Sequence, residues 1–219
     1  MFMLPRTRPK TLPLLTGGLL TAVLLTGCGG TEDTRQAEDA PATTATVDEG
    51  APPQGETAPP EGEALLAAHG LEGKDARTLI DELDATPVGE RSTAFMASIR
   101  ADTLVVTDGS TETSLDLPDD EFYVSIAPFV DQTHDCFFHS LTTCRGELAN
   151  EDIAVEIVDD SGTVLIDEAM TTFDNGFVGL WLPRDVSGTI TLELDGRTVT
   201  DRISTGAEDP TCVTTLQLT

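Results

Sequence analysis

Three cysteines carry most of the chemistry available to this 219-residue chain: Cys136, Cys144 and Cys212. A fourth, Cys28, is set apart by what precedes it. Arg6, Arg8 and Lys10 lead into an apolar stretch from Leu12 to Leu25, and Leu25-Thr26-Gly27 comes directly before the cysteine. Basic, then apolar, then small residues before a cysteine is the pattern of an export signal that ends in a lipobox. It predicts cleavage after residue 27 and diacylation of Cys28; an ordinary secretory signal with Cys28 incidental is the alternative. The stretch is too short to span a bilayer stably, whereas two acyl chains anchor a protein durably. Three thiols then remain in an exported protein. An odd number cannot all pair within one chain, and outside the cytoplasm a free thiolate needs protection or a use. Metal binding supplies both.

Cys136 and Cys144 are separated by Phe-Phe-His-Ser-Leu-Thr-Thr, a loop that can curl its two sulfurs together, with Cys212 available from a last strand lying alongside. Three thiolates suit Cu(I), a soft ion of low coordination number. His139, and after it His134, can complete or relay to such a site as neutral imidazole. Phe137 and Phe138 are expected to limit solvent access, which favours Cu(I) over hydrated Cu(II). Zinc is the competing metal, since three cysteines and a histidine also form a structural zinc set, although the Cys-x₂-Cys knuckle is absent. Spacing alone does not choose between a metal site and a disulfide between two cysteines with the third a buried bystander. His69 falls on a helical segment and reads as a surface or core residue. Tyr123 and Trp181 lie in strand patterns and read as core or sheet face. No Gly-x-Ser-x-Gly occurs to place a hydrolase nucleophile, and no Asp-x-Asp-x-Asp-Gly calcium loop.

The elements that must hold these residues are legible from periodicity. Between Glu61 and Pro87, Ala64, Leu65, Ala68, Leu79, Ile80 and Leu83 recur at helical spacing, with Gly70 and Gly73 dividing two short helices. Asp75 is placed to cap the second, and Pro87 lies just beyond its end, after Asp84. Short strands follow around Phe95 to Ile99, Leu104 to Val106 and Leu115 to Leu117. From Glu121 strand signals recur at antiparallel spacing: Phe122 to Ala127, Ile153 to Val158, Thr163 to Ile166, Phe177 to Leu182, Thr189 to Leu194, Thr198 to Ile203 and Cys212 to Leu218. Asn175-Gly176 and Asp195-Gly196 are tight-turn dipeptides between them. The segment from Pro128 to Ala149 has no clean strand; long irregular connections inside a domain tend to be functional, and this one holds Cys136, Cys144, His134 and His139.

The expected fold is mainly β: an antiparallel β-sandwich with a small helical N-terminal layer, preceded by a disordered tether. Residues 1–27 read as the lipoprotein signal and 28–60 as the lipidated cysteine with an acidic tether too poor in apolar residues to fold. Residues 61–120 read as a small helical and β domain, and 121–219 as a β-sandwich that binds the metal. Twelve basic residues stand against 39 acidic ones, a net charge of −27, and cleavage of the signal removes only basic residues. Such a field repels phosphate backbones, so nucleic acid is excluded as a partner; solubility or a salty habitat accounts for it.

The run from Phe122 to Asn150, with Cys136 and Cys144 in register, closely resembles the CueP family of periplasmic copper-binding proteins. Phe173-Asp174-Asn175-Gly176-Phe177, Trp181-Leu182-Pro183-Arg184 and Asp209-Pro210-Thr211-Cys212 resemble the family's later blocks, and the likeness extends over roughly residues 61 to 217. The resemblance implies copper binding and tolerance of copper stress rather than metabolic catalysis, with the family's three cysteines falling on Cys136, Cys144 and Cys212. It further implies reduction of Cu(II) and delivery of copper to exported cuproenzymes. The lipobox, the long tether and the acidity depart from the family picture. They suggest a scavenger anchored in the cell membrane by its lipid, facing the periplasm or cell exterior. A thiol oxidoreductase or a structural, disulfide-stapled lipoprotein domain are the alternatives, the first without a Cys-x-x-Cys motif to support it. A homodimer is compatible with the sequence.

Overall fold

The helical periodicity is realised as α1, Glu61–Ala68, and α2, Ala76–Asp84. The computed structural model describes residues 60–219; the signal segment, Cys28 and the tether expected before residue 60 lie outside the described residues. The Asp75 carboxylate caps α2 by accepting from the Thr78 N–H at 2.8 Å, as its position predicted. Leu65, Leu79 and Ile80 are buried against an antiparallel sheet of β1 (Met96–Ile99), β2 (Thr103–Thr107) and β3 (Glu112–Asp116), in that order.

Two further sheets pack face to face. The larger joins β5 (Asp152–Asp159), β6 (Val164–Thr171), β8 (Ser187–Leu194) and β9 (Arg197–Ser204) in the antiparallel order β6-β5-β8-β9. Its facing sheet joins β4 (Glu121–Ile126), β7 (Val178–Pro183) and β10 (Cys212–Val213) in the order β10-β4-β7. Alternation along the strands sends Ile153, Val155 and Ile157 of β5 and Ile190, Leu192 and Leu194 of β8 inward. They meet Phe122, Val124 and Ile126 of β4 and Leu180 and Leu182 of β7,. Each such side chain contributes roughly 1.5–3 kcal/mol by leaving water.

The opposite face of β4 and β7 is covered as well. Tyr123 and Trp181 turn toward α1, α2 and the three-stranded sheet and join their core. The strand signals were therefore right about the sandwich, and the helical layer packs on its back.

Two elements differ from the sequence reading. The last strand is regular only over Cys212–Val213, and it runs parallel to β4 rather than antiparallel. The chain leaves β9 in the larger sheet and crosses to the facing one, arriving in the direction of β4. Beyond it a single parallel bridge, Phe129 with Gln217, continues the contact, while Leu216 and Leu218 are buried as the alternation predicted. Asp195-Gly196 is the tight turn expected, both residues at positive φ (52° and 78°). At Asn175-Gly176 only the glycine is (78°); the buried Asn175 side chain accepts from the Phe177 N–H and donates to Asp84. Among the described residues no helix is long and apolar enough to cross a membrane.

Candidate metal centre

The irregular segment after β4 is held in place by backbone pairing with the edge of β1. Ile99 N–H donates to the His139 carbonyl at 2.8 Å and Leu141 N–H to the Ala97 carbonyl at 2.9 Å, with Ser98 opposite Ser140. This short extended run alternates, so His139 and Leu141 point inward, both fully buried, while Phe138 points out,. Thr211, just before β10, fixes the same point: its hydroxyl accepts from the His139 N–H at 3.0 Å and donates to the Ile99 carbonyl at 2.8 Å. Cys212 N–H donates to the Phe137 carbonyl at 3.1 Å.

These bonds bring the three distant cysteines together. Cys136 and Cys212, 76 residues apart in sequence, form a disulfide with a Cα–Cα distance of 5.7 Å. Cys144 is the free thiol, its sulfur 3.6 Å from that of Cys136. Proximity in sequence would have favoured pairing Cys136 with Cys144; the parallel seating of β10 beside β4 brings Cys212 instead.

Both expected histidines reach the cluster. One ring nitrogen of His139 lies within 4.8 Å of the Cys144 and Cys212 sulfurs, and one of His134 within the same distance of the Cys136 and Cys144 sulfurs. Phe137 and Phe138 do not shield the site as their place in the sequence suggested: they are 50% and 38% exposed. They pack edge-on to each other, with the Arg100 guanidinium 4.0 Å from the Phe138 ring centre. The aromatic that closes the site is Phe177, fully buried, its ring centre 4.6 Å from that of His139.

Sequence reasoning missed the residue beneath His139. Asp84, the last residue of α2, is fully buried. One carboxylate oxygen meets His139 Nε2 at 3.0 Å and accepts from Asn175 Nδ2 at 3.0 Å. The other accepts from the Tyr123 hydroxyl at 2.7 Å and the Ser125 hydroxyl at 3.1 Å. Arg91 lies 3.7 Å away and also donates to the Asp84 and Cys144 carbonyls. A signal for Asp84 was present: it sits four residues after Ile80, on the apolar stripe of α2, at the helix end where the dipole disfavours an acid.

The electrostatics follow from this geometry. Burial pushes the Asp84 carboxyl up, but the charge and hydrogen bonds of His139, with those of Tyr123 and Ser125, hold it below its ordinary value,. Burial pushes His139 down, yet Asp84 and, less strongly, Cys144 carry it up to about 9. Cys144 is raised by burial and lowered further by His139 and the Ser140 N–H, which lies 3.3 Å from its sulfur. The net direction favours thiolate. With Nε2 committed to Asp84, Nδ1 of His139 is a buried polar atom without a hydrogen-bond partner. A sulfur-rich cluster facing an unpartnered imidazole nitrogen fits a soft metal ion, and a carboxylate on the far ring nitrogen is the usual support of a metal-binding histidine.

Residues 78–217 match the family model described as periplasmic copper-binding protein CueP. The chain belongs to the CueP family. That match spans Asp84, both histidines and all three clustered cysteines. A crystal structure of S.CueP is 38% identical, with a TM-score of 0.70, and covers 75% of this chain and 100% of that one. None of the curated proteins matches. Membership of the CueP family places this chain among exported, copper-binding periplasmic proteins.

Proposed function

We propose that this protein is an exported copper-handling protein that takes copper as its cargo and holds it as Cu(I). Cys136, Cys144 and Cys212 supply the sulfur donors, and His139 and His134 the nitrogen donors. The observation that carries this reading is the meeting of three sulfurs at one point, of which only two can be joined. One sulfur therefore remains unpaired beside an unpartnered, buried imidazole nitrogen. Zinc competes for the same donors.

The cluster can also reduce its cargo. Cys136 and Cys212 thiolates each give one electron to one Cu(II), two Cu(I) form, and the two sulfurs close the disulfide. Cys144 and the imidazoles are then left to hold one Cu(I), the other passes to an external Cu(I) acceptor, and an external dithiol reductant returns the disulfide to thiols. Exported cuproenzymes are the proposed recipients, and Cys28 the lipid anchor that keeps the domains over 61–120 and 121–219 at the cell membrane.

The test is to reduce the protein, load it anaerobically with Cu(I), and count bound copper and free thiols in wild type and Cys212→Ser. About one copper per chain with a lowered count of free thiols, held less tightly in the variant, is the result expected. Copper affinity unmoved by Cys→Ser changes at 136, 144 and 212 would overturn the reading. For the anchor, Cys28→Ala expressed in a lipidating host should move the protein from the membrane fraction to the soluble one.

One observation favours a second reading, thiol–disulfide exchange: the Cys144 sulfur, its pKa lowered by His139, lies 3.6 Å from a disulfide sulfur,. Exchange with a small dithiol that Cys144→Ser abolishes, in a protein that retains no copper, would favour it.

A further inference from the structure

The three sulfurs meet at one point, but the two histidines divide the donors. They fall into two sets that share Cys144: His134, Cys136 and Cys144 on one side, His139, Cys144 and Cys212 on the other, the atoms of each set within 4.8 Å of one another. The sets differ in depth. His134 is exposed and Cys136 and Cys144 are half-buried, whereas Cys212 is 1% and His139 0% exposed.

They differ also in what lies beyond them. A polar cleft of about 360 Å³, lined by Gln132, Thr133, His134, Arg145, Gly146 and Glu147, opens on the His134 side. Behind His139 there is packed protein: the Phe177 ring and the Asp84 carboxylate with its three other donors, Tyr123, Ser125 and Asn175. His134 stands on a fixed backbone despite its exposure. Its carbonyl accepts from the Thr214 hydroxyl at 2.7 Å, and the Thr133 hydroxyl donates to the Thr214 carbonyl.

We propose that the centre works as two stations. Copper is exchanged with the outside at the outer one, His134, Cys136 and Cys144, and is retained at the inner one, Cys144, His139 and Cys212. Cys144 stays bound throughout the move. An ion that leaves every soft ligand at once must climb the whole binding free energy, whereas one that keeps a sulfur climbs only the part held by the ligands it exchanges. The Cys136–Cys212 disulfide takes one thiolate from each station, so the relay runs in the reduced protein. This inference rests on the copper-binding reading above.

The test separates rate from affinity. The reduced full chain receives Cu(I) from a chromogenic Cu(I) chelator under anaerobic stopped flow, and the same chelator in competition gives the equilibrium affinity. His134→Ala should slow loading by about tenfold or more and lower affinity by a smaller factor, since it strips the outer station alone. His139→Ala should do the reverse, a loss of affinity of about tenfold or more with a smaller loss of loading rate. Because His139 is buried and its variant can fail to fold, Cys212→Ser serves as a second inner-station change. Loading of His134→Ala at the wild-type rate, or equal losses of rate and affinity in outer and inner variants, would overturn the two-station arrangement while leaving copper binding intact. Wild-type protein that retains no copper would instead overturn the underlying reading.

Discussion

Asp84 concentrates the physics of this centre in one side chain. Four hydrogen-bond donors converge on a fully buried carboxylate, two on each oxygen, and one of them is the ring that faces the sulfurs. Asp84→Asn keeps the shape but turns an acceptor into a donor opposite partners that themselves donate. We expect it to destabilise the fold by about 2–4 kcal/mol, read by urea denaturation. The same change should weaken copper retention by about 10–100-fold, because His139 loses the group that orients it. A pH dependence belongs to the same pair. His139 has a folded-state pKa raised from 6.5 to about 9, so the folded protein binds its proton more tightly than the unfolded chain. That contribution to stability is fully present below pH 6.5 and is lost as pH rises through the folded value. Cys144 titrates nearby with the opposite sign, its pKa being lowered, so the clean measurement is in metal-free Cys144→Ser. Its melting temperature should fall from pH 6.5 upward, levelling off at or below about 9,, and the added His139→Gln change should flatten the curve.

At the scale of elements, the site depends on irregular chain held against regular strands. The segment over 128–149 borrows the free edge of β1, and its far end meets the turn before β7. There Gly146 N–H donates to the Asn175 carbonyl at 2.6 Å, and a Cβ on Gly176 would lie 2.7 Å from the Gly146 carbonyl carbon. Gly176 also has φ of 78°, in the left-handed region where a side chain is strained. Gly176→Ala should lower stability by about 2 kcal/mol through strain and displacement of this contact, measured by thermal melting. The same displacement should reach the site, because Asn175 next to it donates to Asp84.

At the scale of the molecule, the disulfide and the metal perform related tasks. Cys136–Cys212 closes a loop of 76 residues, and by the chain-entropy argument such a cross-link stabilises by about 4 kcal/mol. The reduced, copper-free protein should therefore melt lowest. Anaerobic Cu(I) should raise it again by tying the same two segments together, a difference calorimetry can read. The sandwich was legible in the sequence because a period of two at Ile153, Val155 and Ile157, and a period near 3.6 at Leu65, Leu79 and Ile80, are local properties of residues a few positions apart. The three thiols and two imidazoles were legible as chemistry for the same reason: softness and charge belong to side chains, whatever surrounds them. Which sulfurs pair, which histidine is deep and which exposed, and that a carboxylate at the end of α2 supports one of them were not local. Cys212 reaches Cys136 only because β10 crosses to lie parallel to β4, and Asp84 reaches His139 across 55 residues only because α2 packs on the back of that same strand. Sequence by itself determined the elements and the donor atoms; the tertiary structure alone decided their company, since distance, burial and orientation arise from packing between segments that no short stretch of sequence encodes.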